Sequence, residues 1–315
     1  MPRRLRFRAN MHRSAITRVE IAIIIGLGLL VAGLLAVLLS RQRENGMRLQ
    51  CMNNLRRIGD AVHGFHEGQP GADDLQNPGH GYLPPARIAD GYATWAVLLA
   101  PYLTDKNPLH DWDVSKSYLA QPPSVREALV TGYFCPARAR PAWLSTTGEK
   151  DLETNKHVPG ALGDYAGVAG SGDPARPWDG PNADGLIIIG EVLDWADDQI
   201  VRWRGRTRLP DVRRDATARG LSTTLLFGEK HVPPDTFGNA NKGDGSLYDG
   251  HFPASVTRVA GPGYGLAASP TDPFNHNFGS AHPRISHFLF ADGSVRPFTA
   301  DVNEDVLGDL ARRVK

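Results

Sequence analysis

The feature that most constrains this chain is an uninterrupted apolar run from Ile21 to Leu39. Nineteen residues pass without a charge, and thirteen of them are Leu, Ile or Val. A helix that crosses the hydrocarbon core needs roughly 20 such residues. At about −0.45 kcal/mol each, the thirteen aliphatics favour insertion by about 6 kcal/mol. A cleaved secretory signal is the competing reading. Its apolar region is shorter and ends in a small-x-small site, whereas this run ends in Leu38-Leu39-Ser40-Arg41. The expectation is a single-pass anchor over residues 16–40 behind a basic leader over 1–15. Arg3, Arg4, Arg6, Arg8, Arg13 and Arg18 precede the run. The denser positive cluster stays on the cytoplasmic side, so the rest of the chain is expected outside a bacterial inner membrane.

Beyond the anchor, Cys51, Leu55, Ile58, Val62 and Phe65 recur at spacings of four, three, four and three. That is one apolar stripe on a helix, and residues 41–68 read as an amphipathic continuation that docks on a globular domain. Gly28, Ala32 and Ala36 are four residues apart. A ridge of small residues lets helices approach closely in lipid, so lateral self-assembly is expected there.

Residues 69–315 read differently. The chain holds 34 Gly and 24 Pro, which favours turns and short strands over long helices. Its 35 basic and 34 acidic residues nearly cancel, so the basic excess of a nucleic-acid binder is missing. Residues 221–228 and 185–190 read as buried strands. Asp292-Gly293 lies between two apolar runs and reads as a hairpin with a type I′ turn. The expected fold is α+β, a long N-terminal helix packed on a mainly antiparallel sheet with long loops.

Chemical motifs are scarce. The sequence contains no G-x-S-x-G, H-E-x-x-H, Walker A or C-x-x-C, and catalysis is not expected. Cys51 and Cys135 are either two buried thiols or one bridge. Asp179, Asp184 and Asp244 lie in glycine-rich acidic loops and are weak Ca2+ candidates, with solvated turns as the alternative. His63 and His66 share a helical face, as a metal pair or as polar surface. Trp178, Trp195 and Trp203 are candidates for a ligand-binding face.

The stretch Ser14-Ala15-Ile16-Thr17-Arg18-Val19-Glu20-Ile21 resembles the processing region of type IV prepilins and pseudopilins. The resemblance implies a prepilin peptidase site at Ala15, a methylated Ile16, and Glu20 as the carboxylate that meets a neighbouring subunit. Ala15 replaces the family's Gly, and Arg18 stands where that family is apolar. Further along, Gln50-Cys51-Met52-Asn53-Asn54-Leu55, Phe134-Cys135-Pro136, Asp164-Tyr165-Ala166-Gly167-Val168 and Leu225-Leu226-Phe227-Gly228-Glu229-Lys230 follow in order. His282, separated by nine residues from Asp292-Gly293, completes the series. Together they resemble a pseudopilin-like family of planctomycete-type bacteria with a C-terminal H-x9-DG motif and no assigned activity. The resemblance implies a type IV pilin-like fold, with His282, Asp292, Gly293 and Glu229 as structural motif residues. The expected role is a structural component of a secretion or filament system or of the cell envelope. Its partners would be the lipid bilayer, prepilin peptidase, and copies of itself or other pseudopilins. The alternative is an anchored binding module for carbohydrate, peptide or Ca2+.

Overall fold

The computed structural model describes residues 18–68, 81–104, 106–209 and 220–313. The chain divides after Gly46 into two compact units. Helix α1 runs over Arg18–Gly68. In the first unit its described large aliphatics, among them Leu29, Leu30, Leu34 and Leu38, are exposed. The helix is long and apolar enough to cross a membrane. Ala32 and Ala36 are exposed, and a Cβ at Gly28 would meet no atom within 4 Å. Ala15 and Ile16 lie outside the described residues, as does the Glu20 side chain.

In the second unit α1 is amphipathic. Cys51, Leu55, Ile58, Ala61, Val62 and Phe65 are buried, at the spacing that places them on one face. A Cβ on Gly59 would approach Leu289 to 2.9 Å, so the helix lies tightly over the sheet at that point. Polar ties lock the register. Asn54 donates to the Phe134 carbonyl at 2.8 Å and to the Tyr165 hydroxyl at 3.2 Å.

The elements that follow α1 are α2 (Trp95–Leu103), α3 (Pro123–Arg126), β1 (Tyr165–Gly170), β2 (Glu191–Ala196), β3 (Gln199–Arg204) and β4 (Leu225–Glu229). Then come α4 (Pro253–Val256), β5 (Thr257–Val259), β6 (Ile285–Phe290), β7 (Val295–Thr299) and α5 (Glu304–Ala311). Five strands form one sheet in the order β5-β1-β4-β6-β7. Only the β1–β5 pairing is parallel. The fold is therefore α+β with a mostly antiparallel sheet. The strands β2 and β3 form a separate two-stranded hairpin.

Helix α2 begins where Thr94 accepts the N–H of Ala96 and donates to the Leu247 carbonyl, a side-chain cap on an orphan donor. Trp95 then enters the core, edge-on to Tyr133 and Phe227, with its indole N–H on the Val256 carbonyl at 2.8 Å. That bond removes the cost of burying the indole nitrogen.

Two local readings of the sequence need correction. Residues 185–190 are buried apart from the half-buried Ile189, but they form no strand. The Gly185 and Ile187 N–H groups donate to the Ala169 and Val168 carbonyls. Beyond Ile187 the run leaves β1, and Ile188 accepts from Ala86 instead. A hydrophobic run signals burial, and it does not by itself guarantee a ladder. The hairpin at Asp292-Gly293 exists, but its turn is not type I′. Only Gly293 has positive φ, at 84°. Gly293 donates to the Phe290 carbonyl and Phe290 to the Ser294 carbonyl, the three-residue loop with a left-handed residue at its end. The two-residue loop with both φ positive occurs at Asp197-Asp198, at 48° and 59°, between β2 and β3.

Candidate functional site

The end of the β1–β4 pair collects the polar residues of the second unit. Register pairs Tyr165 with Glu229, so Asp164 and Glu229 emerge side by side from adjacent strands. β6 pairs Gly228 with Phe288 and brings His287 alongside Glu229. The loop before β6 adds His282, whose N–H is held by the Ser280 hydroxyl at 2.9 Å. The segment after Thr131-Gly132-Tyr133 adds Cys135, and α1 adds Cys51. The two cysteines are joined in a disulfide with a Cα–Cα separation of 5.3 Å.

Every one of these groups is buried. One oxygen of Glu229, Oε2, accepts the His287 backbone N–H at 2.8 Å and its ring Nδ1–H at 2.9 Å. The other, Oε1, lies 3.7 Å from His282 Nε2 and 3.8 Å from Cys135 Sγ. His282 Nε2 is itself 3.8 Å from Cys135 Sγ. Asp164 Oδ2 accepts the Cys135 N–H at 2.8 Å. Thus Asp164 holds the Cys135 backbone while Glu229 Oε1 lies against its sulfur.

A charged layer backs this cluster. Asp164 pairs with Arg138 at 2.9 Å and with Arg140. Asp244 pairs with Arg140 at 2.6 Å and with Lys230 at 3.3 Å. Arg258 is also fully buried, on the carbonyls of Thr257, His231 and Gly243. Burial would raise the Asp244 carboxyl, but Lys230 and Arg140 outweigh it and hold it at about 2. Burial lowers Arg258 to about 9. It lowers Lys230 to about 7 despite Asp244. The carboxylates that act on Arg138, Arg140, Lys230 and Arg258 include Asp164, Asp244 and Glu229.

Of the three Ca2+ candidates, Asp184 and Asp244 are engaged by protein groups. Asp184 is buried, and its two oxygens accept the Ser171 N–H and hydroxyl at 2.9 and 2.7 Å. Asp244 accepts the Gly238 N–H and the cations above. Both carboxylates are thus bonded on each oxygen by protein donors. Asp179 is exposed and does not join either residue.

Other sequence candidates scatter. Asp292 stays at its turn, exposed, accepting the Ser294 N–H and hydroxyl. Hence the H and DG of the C-terminal motif serve different places. His63 and His66 are half-buried and belong to no group of metal-ligating side chains among the described residues. Trp195 packs on Tyr92, and Trp178 on His276. Trp203 lines a depression with Leu98, Pro101 and Trp112. Trp178 and Trp195 thus pack on different rings, and Trp203 lines that separate depression.

Sequence reasoning missed Trp143. It is 45% exposed and stands edge-on to Phe134 at 4.8 Å. It forms one wall of a 380 Å³ cleft with Leu129, Pro136 and the α1 residues Gln50 and Asn54, and Cys135 and Arg138 also line this cleft. A Pro-Ala-Trp segment with no flanking pattern carries no signal of this kind.

A family model for proteins of unknown function, DUF1559, matches residues 40–305. The chain belongs to the DUF1559 family. Its match spans all the cluster residues, from Cys51 to His287, and begins after the apolar run. No curated protein and no solved structure matches the chain.

Proposed function

We propose that this DUF1559 protein is a membrane-anchored, non-catalytic structural component of the bacterial cell envelope, pseudopilin-like in build. One observation carries the reading. The first part of α1 leaves its large aliphatics exposed, whereas the part from Cys51 onward buries them. An aliphatic surface of that length is compatible with lipid. A non-catalytic role is supported by the polar cluster, whose carboxylates are buried and bonded to protein groups. The assembly role draws on the prepilin-like stretch around Glu20 and on the small residues Gly28, Ala32 and Ala36.

The test is the intact mass of the chain taken from bacterial membranes, with crosslinking in the same membranes. Loss of residues 1–15, a methyl group on Ile16 and a crosslinked ladder support assembly. A full-length, uncrosslinked chain removes it.

The cleft walled by Trp143 and Leu129 favours a second reading, an anchored binding module. Its apolar walls and exposed indole suit an apolar peptide segment or a sugar face. Screening the detergent-solubilised chain against peptide and glycan arrays would test it. Binding that survives in Trp143→Ala would count against this cleft.

A further inference from the structure

We infer that the cluster of Cys51, Cys135, Glu229 and His282 is a Zn2+ site when its two cysteines are reduced, so that bridge and metal are alternative occupants of one position. The ligating atoms of all four side chains lie within 4.8 Å of one another. Three of them form a nearly equilateral triangle. Cys135 Sγ to Glu229 Oε1 is 3.8 Å, Cys135 Sγ to His282 Nε2 is 3.8 Å, and His282 Nε2 to Glu229 Oε1 is 3.7 Å. A tetrahedral zinc with ligand bonds of about 2.0–2.3 Å places its ligands about 3.3–3.8 Å apart. The triangle is therefore one face of such a tetrahedron, and Cys51 supplies the fourth vertex.

The surroundings fit a closed structural site. His287 holds Glu229 Oε2 with two hydrogen bonds, which points Oε1 at the triangle. Such outer contacts are what orient a metal-binding carboxylate. Asp164 fixes the Cys135 backbone. Two thiolates, an imidazole and one carboxylate suit Zn2+ and not a hard cation such as Ca2+. Charge balance agrees. Two bare thiolates would add two negative charges to a buried place, whereas two thiolates with Zn2+ add none.

The chemistry closes as follows. A dithiol reductant gives two electrons and two protons to the Cys51–Cys135 bond, which becomes two thiols, and the reductant leaves as its own disulfide. Zn2+ then displaces both thiol protons to solvent. In the reverse direction a disulfide oxidant takes two electrons from the two thiolates and two protons from solvent and leaves as its dithiol, the Cys51–Cys135 bond re-forms, and Zn2+ departs to solvent.

The test uses the full chain in detergent, reduced and unreduced, titrated with Zn2+ and with Co2+ as a spectroscopic stand-in. The expected result is one tightly held zinc per reduced chain and none per bridged chain. Cobalt should give the strong visible bands of a tetrahedral site and a thiolate charge-transfer band. His287→Ala, a positioning change, should weaken zinc binding about 10–100-fold. His282→Ala should lose the tetrahedral cobalt spectrum. Zinc should also raise the melting temperature of the reduced chain and not that of the bridged one. Three results would overturn the inference. The reduced chain could bind no more zinc than a Cys51→Ser/Cys135→Ser double variant. His282→Ala could bind as tightly as the natural chain. The reduced chain could unfold without zinc restoring it.

Discussion

Asp164 is the residue on which most of the buried polar network depends. It receives Arg138, Arg140 and the Cys135 N–H. Removing one partner of a buried ion pair leaves a charge without compensation and costs about 3–5 kcal/mol. Asp164→Asn should therefore lose stability on that scale in urea denaturation. The bridge has a similar weight. It closes a loop of sequence separation 84, worth about 4–5 kcal/mol in the loop-entropy model. Reduction without metal should lower the denaturation midpoint accordingly. Asp249 sets a pH dependence. Burial lifts its carboxyl to about 7, with Glu149 and Asp90 adding to burial, while the His251 N–H and ring pull the other way. Between pH 4 and 7 the unfolded chain has released this proton and the folded chain has kept it, so stability falls as pH rises through that window. Asp249→Asn should flatten that slope in denaturation measured across pH. At this scale the motif order in the sequence pointed to Cys51, Cys135, Glu229 and His282, but not to their convergence. Convergence comes from the Tyr165–Glu229 register and from α1 lying over β6, and neither is a local property. His287 and the cations Arg138, Arg140 and Arg258 carried no pattern, because a buried charge looks like a surface charge until its partner is known.

Among the elements, those with a clear period were legible. The stripe from Cys51 to Phe65 is the buried face of α1 in the second unit. The hairpin β6–β7 sits where apolar runs flank Asp292-Gly293. What failed was detail that depends on partners. Residues 185–190 look like a strand because they are aliphatic, yet they sit against β1 too closely to extend a ladder. A Cβ at Gly185 would fall 2.3 Å from the Ala169 carbonyl carbon. Gly185→Ala should cost about 1–3 kcal/mol or more by overpacking, read from thermal melts. The β2–β3 turn offers the opposite change. Asp197 and Asp198 both occupy left-handed backbone, and Asn-Gly is the pair that such a turn prefers. Asp197→Asn with Asp198→Gly should add about 0.5–2 kcal/mol, visible as a higher melting temperature.

At the scale of the molecule, one chain combines an exposed aliphatic helix in its first unit with a mostly antiparallel α+β domain in its second. The first could be read almost completely from composition, because nineteen uncharged residues leave few alternatives. The second was legible as a class and not as a topology, since the order β5-β1-β4-β6-β7 with one parallel pair rests on contacts far apart in sequence. The central claim is that the apolar half of α1 holds the domain at a membrane with its C-terminal part outside. The most direct measurement is alkaline extraction of membranes from bacteria expressing the full chain, followed by protease treatment of intact spheroplasts. The account predicts that the chain stays in the membrane pellet and that external protease removes the domain after Gly46. A chain that washes into the supernatant, or a domain protected until the membrane is broken, would contradict it.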